Sequence, residues 1–125
     1  MKKLSLALLV LISLSSAWAS GVNWSEAKKC DQGYSLMVGQ VWASGQQATY
    51  FQATLSGEAK ASLESQLGES IAAAIQLNSD RFGLFTGKIA GFAVEIEEVG
   101  SSSVSLNILD KSGERIADYQ FYNCR

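Results

Sequence analysis

The chain has 125 residues, with ten Lys and Arg against twelve Asp and Glu, two cysteines, no proline and no histidine. The lack of histidine excludes Ser-His-Asp and Cys-His nucleophilic catalysis and removes the commonest protein metal ligand. The basic residues are dispersed and form no stripe that could follow phosphates, so we expect no nucleic-acid partner. No glycine-rich nucleotide motif occurs, and we expect neither a cofactor nor a bound metal.

The first nineteen residues have the features of a cleaved export signal. Two lysines give a positive start, residues 4–14 are apolar, and Ala17 and Ala19 supply the small side chains of a cleavage site. The apolar stretch is shorter than the roughly 20 residues that span a bilayer, which favours cleavage over a retained anchor. We expect a mature chain of residues 20–125 that folds as one domain without a membrane anchor, in the bacterial periplasm or secreted.

Residues 23–30 precede the first expected strand. Asn23 is a good helix N-cap, and Glu26 stands three residues later, as in a capping box. This pattern predicts a short helical turn over residues 23–30.

From residue 34 onward, turn-forming residues recur about every 10 to 12 positions, which is typical of an antiparallel meander that forms a small barrel or sandwich. Between the turns, apolar and polar residues often alternate. Val104, Leu106 and Ile108 alternate with Ser and Asn in this way, as expected of a half-buried strand. The pattern predicts a mainly β domain with about eight strands, near residues 34–43, 47–56, 58–66, 70–77, 81–87, 90–99, 103–109 and 115–123.

Residues 58–76 fit two patterns. They are rich in Ala, Glu, Leu and Gln, and a leucine or isoleucine recurs every four residues from Leu63 to Ile75, which favours a helix. Alternation of small and polar residues before Gly68, and a turn at that glycine, favour two strands. We adopt the two strands. The alternative is an α+β fold in which a helix near residues 58–76 lies on a six-stranded antiparallel sheet.

Glu95, Glu97 and Glu98 form the densest carboxylate cluster. A glycosidase needs two carboxyl groups about 5–10 Å apart across a cleft, and Glu95 and Glu97, two residues apart on one predicted strand, fit that distance. The simpler interpretation is a solvated strand face whose charges discourage edge-to-edge aggregation. We adopt this interpretation and assign no catalytic residue.

The last predicted hairpin turns at residues 110–113, whose sequence Asp-Lys-Ser-Gly suits a type I turn closed by a glycine bulge. The alternation of Asp110, Ser112 and Glu114 also resembles a run of calcium-binding oxygens. The rest of an EF-hand loop is absent, and the turn explains the same residues. We therefore expect no metal site here.

Cys30 and Cys124 are the only two cysteines. In an oxidising compartment such a pair forms a disulfide. The long interval between them does not match the short Cys-x-x-Cys spacing of redox pairs. We predict a structural disulfide that joins the start of the first strand to the end of the last.

The aromatic residues have two possible places, the packed core or the lining of a ligand cavity inside a barrel. Because a barrel of this size usually fills its interior with side chains, core packing is the preferred interpretation. The residues concerned are Trp42, Tyr50, Phe51, Phe82, Phe85, Phe92, Tyr119, Phe121 and Tyr122.

The layout of export signal, β meander and end-to-end disulfide resembles that of the small periplasmic lysozyme inhibitors, which are compact β-barrels. The signature loop of that family has no counterpart here, so the likeness is one of architecture and implies no site residues. We expect a non-enzymatic exported binding or inhibitor-like module of the bacterial envelope, whose partner is a protein or a small apolar ligand. The alternatives are a carboxylate-dependent hydrolase of cell-envelope glycans that uses Glu95 or Glu97, and a purely structural envelope component.

Overall fold

A computed structural model describes residues 22–125. The predicted export signal, residues 1–19, lies outside the described residues. The described part contains eight strands and one helix: β1 (Asn23–Cys30), β2 (Tyr34–Ala43), β3 (Gln46–Leu55), α1 (Gly57–Leu67), β4 (Ala74–Arg81), β5 (Leu84–Ile89), β6 (Phe92–Val99), β7 (Ser103–Leu109) and β8 (Arg115–Phe121).

The eight strands form one antiparallel sheet in which each strand lies beside the next in chain order. The sheet curls into a half-barrel. The prediction of a mainly β, eight-stranded antiparallel meander is therefore confirmed. Across residues 22–125, no helix combines the length and the apolar character that a membrane crossing requires.

The segment predicted as a strand over residues 58–66 is the helix α1, so that prediction is wrong. Good helix formers fill the segment, and Ala59 and Leu63, four positions apart, are both fully buried. The helix ends at Gly68, whose φ of 78° provides the left-handed cap that favours glycine. The alternative helix over residues 58–76 is too long, because the chain becomes extended again at Ala74, where β4 begins.

Residues 23–30, predicted as a helical turn, form the edge strand β1, which restores the count of eight strands. This strand pairs with β2 along its length and carries a bulge between Glu26 and Lys28. A ladder with β2 satisfies more backbone groups than one isolated helical turn would. The capping pattern is therefore outweighed by pairing, and the charged residues suit an edge strand.

The core lies on the concave face of the sheet, beneath α1. Alternate residues of β6 and β7 point into it, as their sequence pattern predicts. The largest fully buried side chains come from five different elements, so the helix and the curled sheet share one core. They are Phe121, Leu55, Leu63, Ile96, Leu106, Ile108, Val94 and Val104.

The helix α1 leaves the end of β3, crosses the concave face towards β8, and returns to β4. Its first turn is held by the loop between β1 and β2, because the Ala59 N–H donates to the Gln32 carbonyl oxygen at 3.0 Å. The Ser56 N–H likewise donates to the Gly33 carbonyl oxygen at 2.8 Å. A side chain at Gly33 would collide with the Ser56 carbonyl, so this junction requires glycine.

The two ends of the sheet meet at one place. Cys30 and Cys124 form the predicted disulfide. Beside it, Lys29 and Arg125 exchange two backbone hydrogen bonds, each N–H donating to the other carbonyl oxygen at 2.9 Å. β1 and β8 are otherwise not neighbours in the sheet, so the outer edge of β8 faces no other strand of the described chain.

Candidate functional site

The concave face of the half-barrel is filled with side chains. The rings of Tyr34 and Phe121 lie 5.0 Å apart, and those of Phe51 and Phe85 lie 5.1 Å apart. Phe92 and Tyr119 pack at the margin of the same cluster, while Tyr50, paired with Gly39, points to the convex face. The remaining aromatic residues considered for the interior are exposed: Trp42, Phe82 and Tyr122.

The carboxylate cluster seen in the sequence is divided between the two faces of the sheet. Glu95 and Glu97 are exposed on the convex face, and Glu95 lies between Thr86 of β5 and Asn107 of β7. Glu98 points to the concave side, opposite the buried Val104. Glu95 and Glu97 thus lie on an outward-curving surface, which offers two carboxylates but no cleft between them.

Glu98 forms an ion pair with Lys28 at 3.5 Å, and the two side chains are 27% and 16% exposed. This pair joins β6 to β1 on the concave side. Burial raises the pKa of the Tyr34 phenol well above its usual range, and the negative charge of Glu98 adds to this effect. The ion pair between Lys28 and Glu98 therefore links β1 to β6 across the open side of the half-barrel. The sequence alone did not predict this contact.

Asp110 is occupied by its own turn. Its Oδ1 accepts hydrogen bonds from the Ser112 hydroxyl at 2.7 Å and from the N–H groups of Ser112 and Glu114, each at 2.9 Å. These bonds hold the pKa of Asp110 below its usual value. The Gly113 N–H donates to the Asp110 carbonyl oxygen and Gly113 has a φ of 89°, as expected of the predicted turn with its glycine bulge. Within residues 22–125, no group of three His, Cys, Asp or Glu side chains is placed to hold a metal ion.

The outer edge of β8 carries an unusual contact with α1. The Gln66 Nε2 donates to the Asp118 carbonyl oxygen at 2.8 Å, and the Gln66 Oε1 accepts from the Asp118 N–H at 3.0 Å. Both bonds go to the main chain. One side-chain amide therefore occupies the two hydrogen-bonding positions that a neighbouring strand would use at this residue.

The same edge continues at Gln120 and Tyr122. Because the N–H and C=O of Asp118 point outward, the alternation of an antiparallel strand turns those of Gln120 outward too. The Tyr122 N–H follows the same alternation and donates to the Gln32 Oε1 at 2.9 Å. Gln120 thus presents its backbone N–H and C=O at the edge, where no further strand of the described chain lies.

A groove of about 440 Å³ follows this edge between α1 and β8. The Arg115 guanidinium and the Asp118 carboxylate lie 3.7 Å apart, so the two charges in the groove offset each other. Its walls are otherwise formed by hydroxyl and amide groups and one tyrosine. The lining residues are Ser62, Gln66, Ser105, Asn107, Arg115, Asp118, Tyr119 and Gln120.

Two contacts attach α1 to β8 beside this groove. The Tyr119 hydroxyl donates to the Glu58 Oε2 at 2.6 Å, which ties the start of α1 to β8. Desolvation and this hydrogen bond raise the pKa of Tyr119 to about 12. Gln66 ties the end of the same helix to β8, so the helix is held along the edge at both ends.

A second concavity of about 480 Å³ lies at the turns between β5 and β6 and between β7 and β8. Lys88, Lys111 and Phe92 line it, together with Asp110, whose carboxylate already serves the turn. It offers two lysines but no free backbone edge. The groove beside β8 combines polar side chains with available main-chain groups and is therefore the stronger candidate site.

Comparisons of the chain with protein-family models, with curated proteins and with solved structures find no match. Sequence reasoning did not indicate Gln66, Gln32 or Gln120, because glutamines on a helix surface, in a loop and on a strand edge carry no recognisable motif. The one available signal was the helix propensity of residues 58–66, which would have placed Gln66 on a helix.

Proposed function

We propose that the protein is a non-enzymatic, exported binding module of the bacterial envelope whose site is the groove between α1 and β8. The observation that carries the proposal is the outward-facing backbone of Gln120 in a groove lined by hydrogen-bonding side chains. A disulfide suits an oxidising compartment, which supports a periplasmic or secreted location.

The polar character of the groove favours a protein segment as the ligand over a small apolar molecule. The apolar side chains of this fold are used in its own core beneath α1. The groove instead offers donors and acceptors with almost no net charge, which suits the uncharged main chain and polar side chains of a polypeptide.

The convex position of Glu95 and Glu97 supports a binding function over the alternative of a glycan hydrolase. Efficient general acid catalysis by a carboxyl group relies on a cleft that excludes water and tunes its pKa. Both glutamates are exposed on a curved surface beside Thr86 and Asn107. We expect the purified protein to release no reducing sugar from peptidoglycan, and the double variant Glu95→Gln/Glu97→Gln to behave identically.

The binding function can be tested by amide NMR on the disulfide-bonded chain of residues 20–125. The probes are a blocked, uncharged hexapeptide of alternating threonine and valine, a neutral glucose oligomer, and a fatty acid. We expect the peptide to shift the amide signals of Asp118, Gln120 and the Gln66 side chain. The proposal fails if none of the three probes shifts these signals, or if the fatty acid shifts core signals instead.

Two substitutions on the convex face provide a matched comparison. Ser105→Arg introduces a long charged side chain at the groove wall, and we expect it to weaken peptide binding at least tenfold. Thr86→Arg makes the same change on β5, two strands away, and should leave binding unchanged. Equal losses in the two variants would place the peptide outside the groove.

A further inference from the structure

The hydrogen bonds between Gln66 and Asp118 suggest how the groove recognises its ligand, if the proposed binding function holds. Gln66 supplies one acceptor and one donor to a single residue of an edge strand. In an antiparallel sheet these two positions are filled by the N–H and C=O of the residue on the next strand. The side chain of Gln66 therefore stands where a ninth strand would pair.

The groups available along this edge have the spacing of a strand. Asp118, Gln120 and Tyr122 are alternate residues, so their outward main-chain groups repeat about every 7 Å. Gln66 bonds the first of them and Gln32 bonds the N–H of the last. Both hydrogen bonds are solvent-exposed. Gln66 is itself exposed and Gln32 half-buried, and the only other side-chain hydrogen bond shown for Gln66 within residues 22–125 is an exposed one of 3.2 Å to the Ser62 hydroxyl.

We propose that the groove binds an extended, uncharged peptide segment of a partner protein by β-strand addition to β8, and that Gln66 is a displaceable cap of this edge. The incoming segment would pair with Gln120 and then replace the Gln66 amide at Asp118. Its side chains would alternate between Tyr119 on the concave side and Asp118 and Gln120 on the convex side.

Removal of the cap distinguishes this mechanism from a simple contact role. A peptide that displaces Gln66 must first break the two hydrogen bonds of Gln66 to Asp118, which lowers its affinity. The variant Gln66→Ala should therefore bind the threonine–valine hexapeptide about threefold to tenfold more tightly than the parent. If Gln66 instead contacts the ligand, the same variant binds more weakly, and the proposal is overturned. Gln47→Ala, an exposed glutamine on β3, serves as the control and should not change the affinity.

The backbone pattern of recognition provides a second test that does not depend on protein variants. N-methylation of one peptide bond removes a donor, and in an added strand only every second N–H of the peptide faces β8. We expect binding of the hexapeptide to fall at alternate N-methyl positions and to persist at the others. If every N-methylated peptide still binds and still shifts the amide signals of the groove residues, strand addition is overturned while the proposed binding function stands. Loss of all groove shifts for the unmodified peptide would overturn both.

Discussion

The side-chain amide of Gln66 on α1 holds the backbone N–H and C=O of Asp118 on β8 through two hydrogen bonds of 3.0 and 2.8 Å. An unpaired edge strand is a site for edge-to-edge association, and proteins commonly cover such edges with a helix or a charged residue. Here α1 lies along part of the edge, and Gln66 takes the place of a paired strand residue at Asp118. The same contact attaches α1 to the edge of β8 and places Gln66 in the wall of the candidate site.

Loss of this contact should affect both stability and association. Gln66→Ala removes two hydrogen bonds while keeping a good helix former, so we expect the free energy of unfolding to fall by about 1 kcal/mol. We also expect concentration-dependent dimers, because the main chain of Asp118 becomes available to a second edge. Urea unfolding and sedimentation velocity measure the two effects. A variant that stays monomeric and as stable as the parent would show that Gln66 does not protect the edge.

The disulfide should be a major contribution to stability. It links residues 94 positions apart, and beside it two backbone hydrogen bonds join Lys29 to Arg125. We expect Cys30→Ser/Cys124→Ser to lose about 2–5 kcal/mol of unfolding free energy, the range for removal of a native disulfide from a small secreted domain. Urea unfolding of this variant, of the oxidised parent and of the reduced parent provides the measurement. The reduced parent should match the variant, and a difference of less than about 1 kcal/mol between oxidised and reduced parent would contradict a stabilising role.

The helix α1 should depend on its buried leucine. Leu63, in the middle of α1, is fully buried in the core, whereas Leu67 at the end of the helix is only partly buried. Because alanine is the best helix former, Leu63→Ala tests packing alone, and we expect a loss of about 2–5 kcal/mol. Leu67→Ala should cost clearly less in the same denaturant titration. Equal losses would mean that α1 does not pack on the sheet as described.

Acid should weaken the end of α1 through Glu64. Its Oε2 accepts hydrogen bonds from Lys60 at 2.9 Å and from the Ile71 N–H at 3.0 Å, and these bonds hold the pKa of Glu64 below its usual value of 4.5. A lowered carboxyl pKa gives stability that is complete above the unfolded value and disappears as the pH falls through the folded one. Glu64→Gln should therefore lower Tm at pH 7, and the difference from the parent should shrink below about pH 4.5.

Thermal unfolding followed by circular dichroism between pH 2 and pH 7 would measure this convergence. Glu69→Gln, at an exposed position just after the helix, is the matched control. We expect its Tm to follow that of the parent at every pH. A Glu64→Gln difference that stays constant down to pH 2 would show that the Glu64 charge does not stabilise the helix end.

Local chemistry made some of the fold predictable. The alternation of Val104, Leu106 and Ile108 requires a strand with one buried face, because side chains point to opposite faces with a period of two. The turn at Asp110 and Gly113 follows from side-chain acceptors and positive φ, which are properties of the residues themselves. Two cysteines in the whole chain permit only one intramolecular pairing. These features arise within a few residues or from counting, and the structure has each of them.

Competition between distant segments decided the rest. Residues 58–66 carry both a helical and an alternating pattern, and the place of Leu63 in the core selects the helix. Residues 23–30 carry a capping pattern, and β2 beside them selects a strand. Glu98 faces inward to Lys28 while Glu95 faces solvent, which depends on the register of β6 and on the curl of the sheet.

The sequence by itself determined the strand β7, the last turn and the disulfide, because each depends on residue type, local spacing or the cysteine count. Only the tertiary structure decided that Gln66 reaches Asp118, since 52 residues separate them and no pattern links a helix glutamine to a strand edge. The candidate site is formed by that long-range contact. Its groove exists because the helix between β3 and β4 crosses the concave face and lies along the edge of β8.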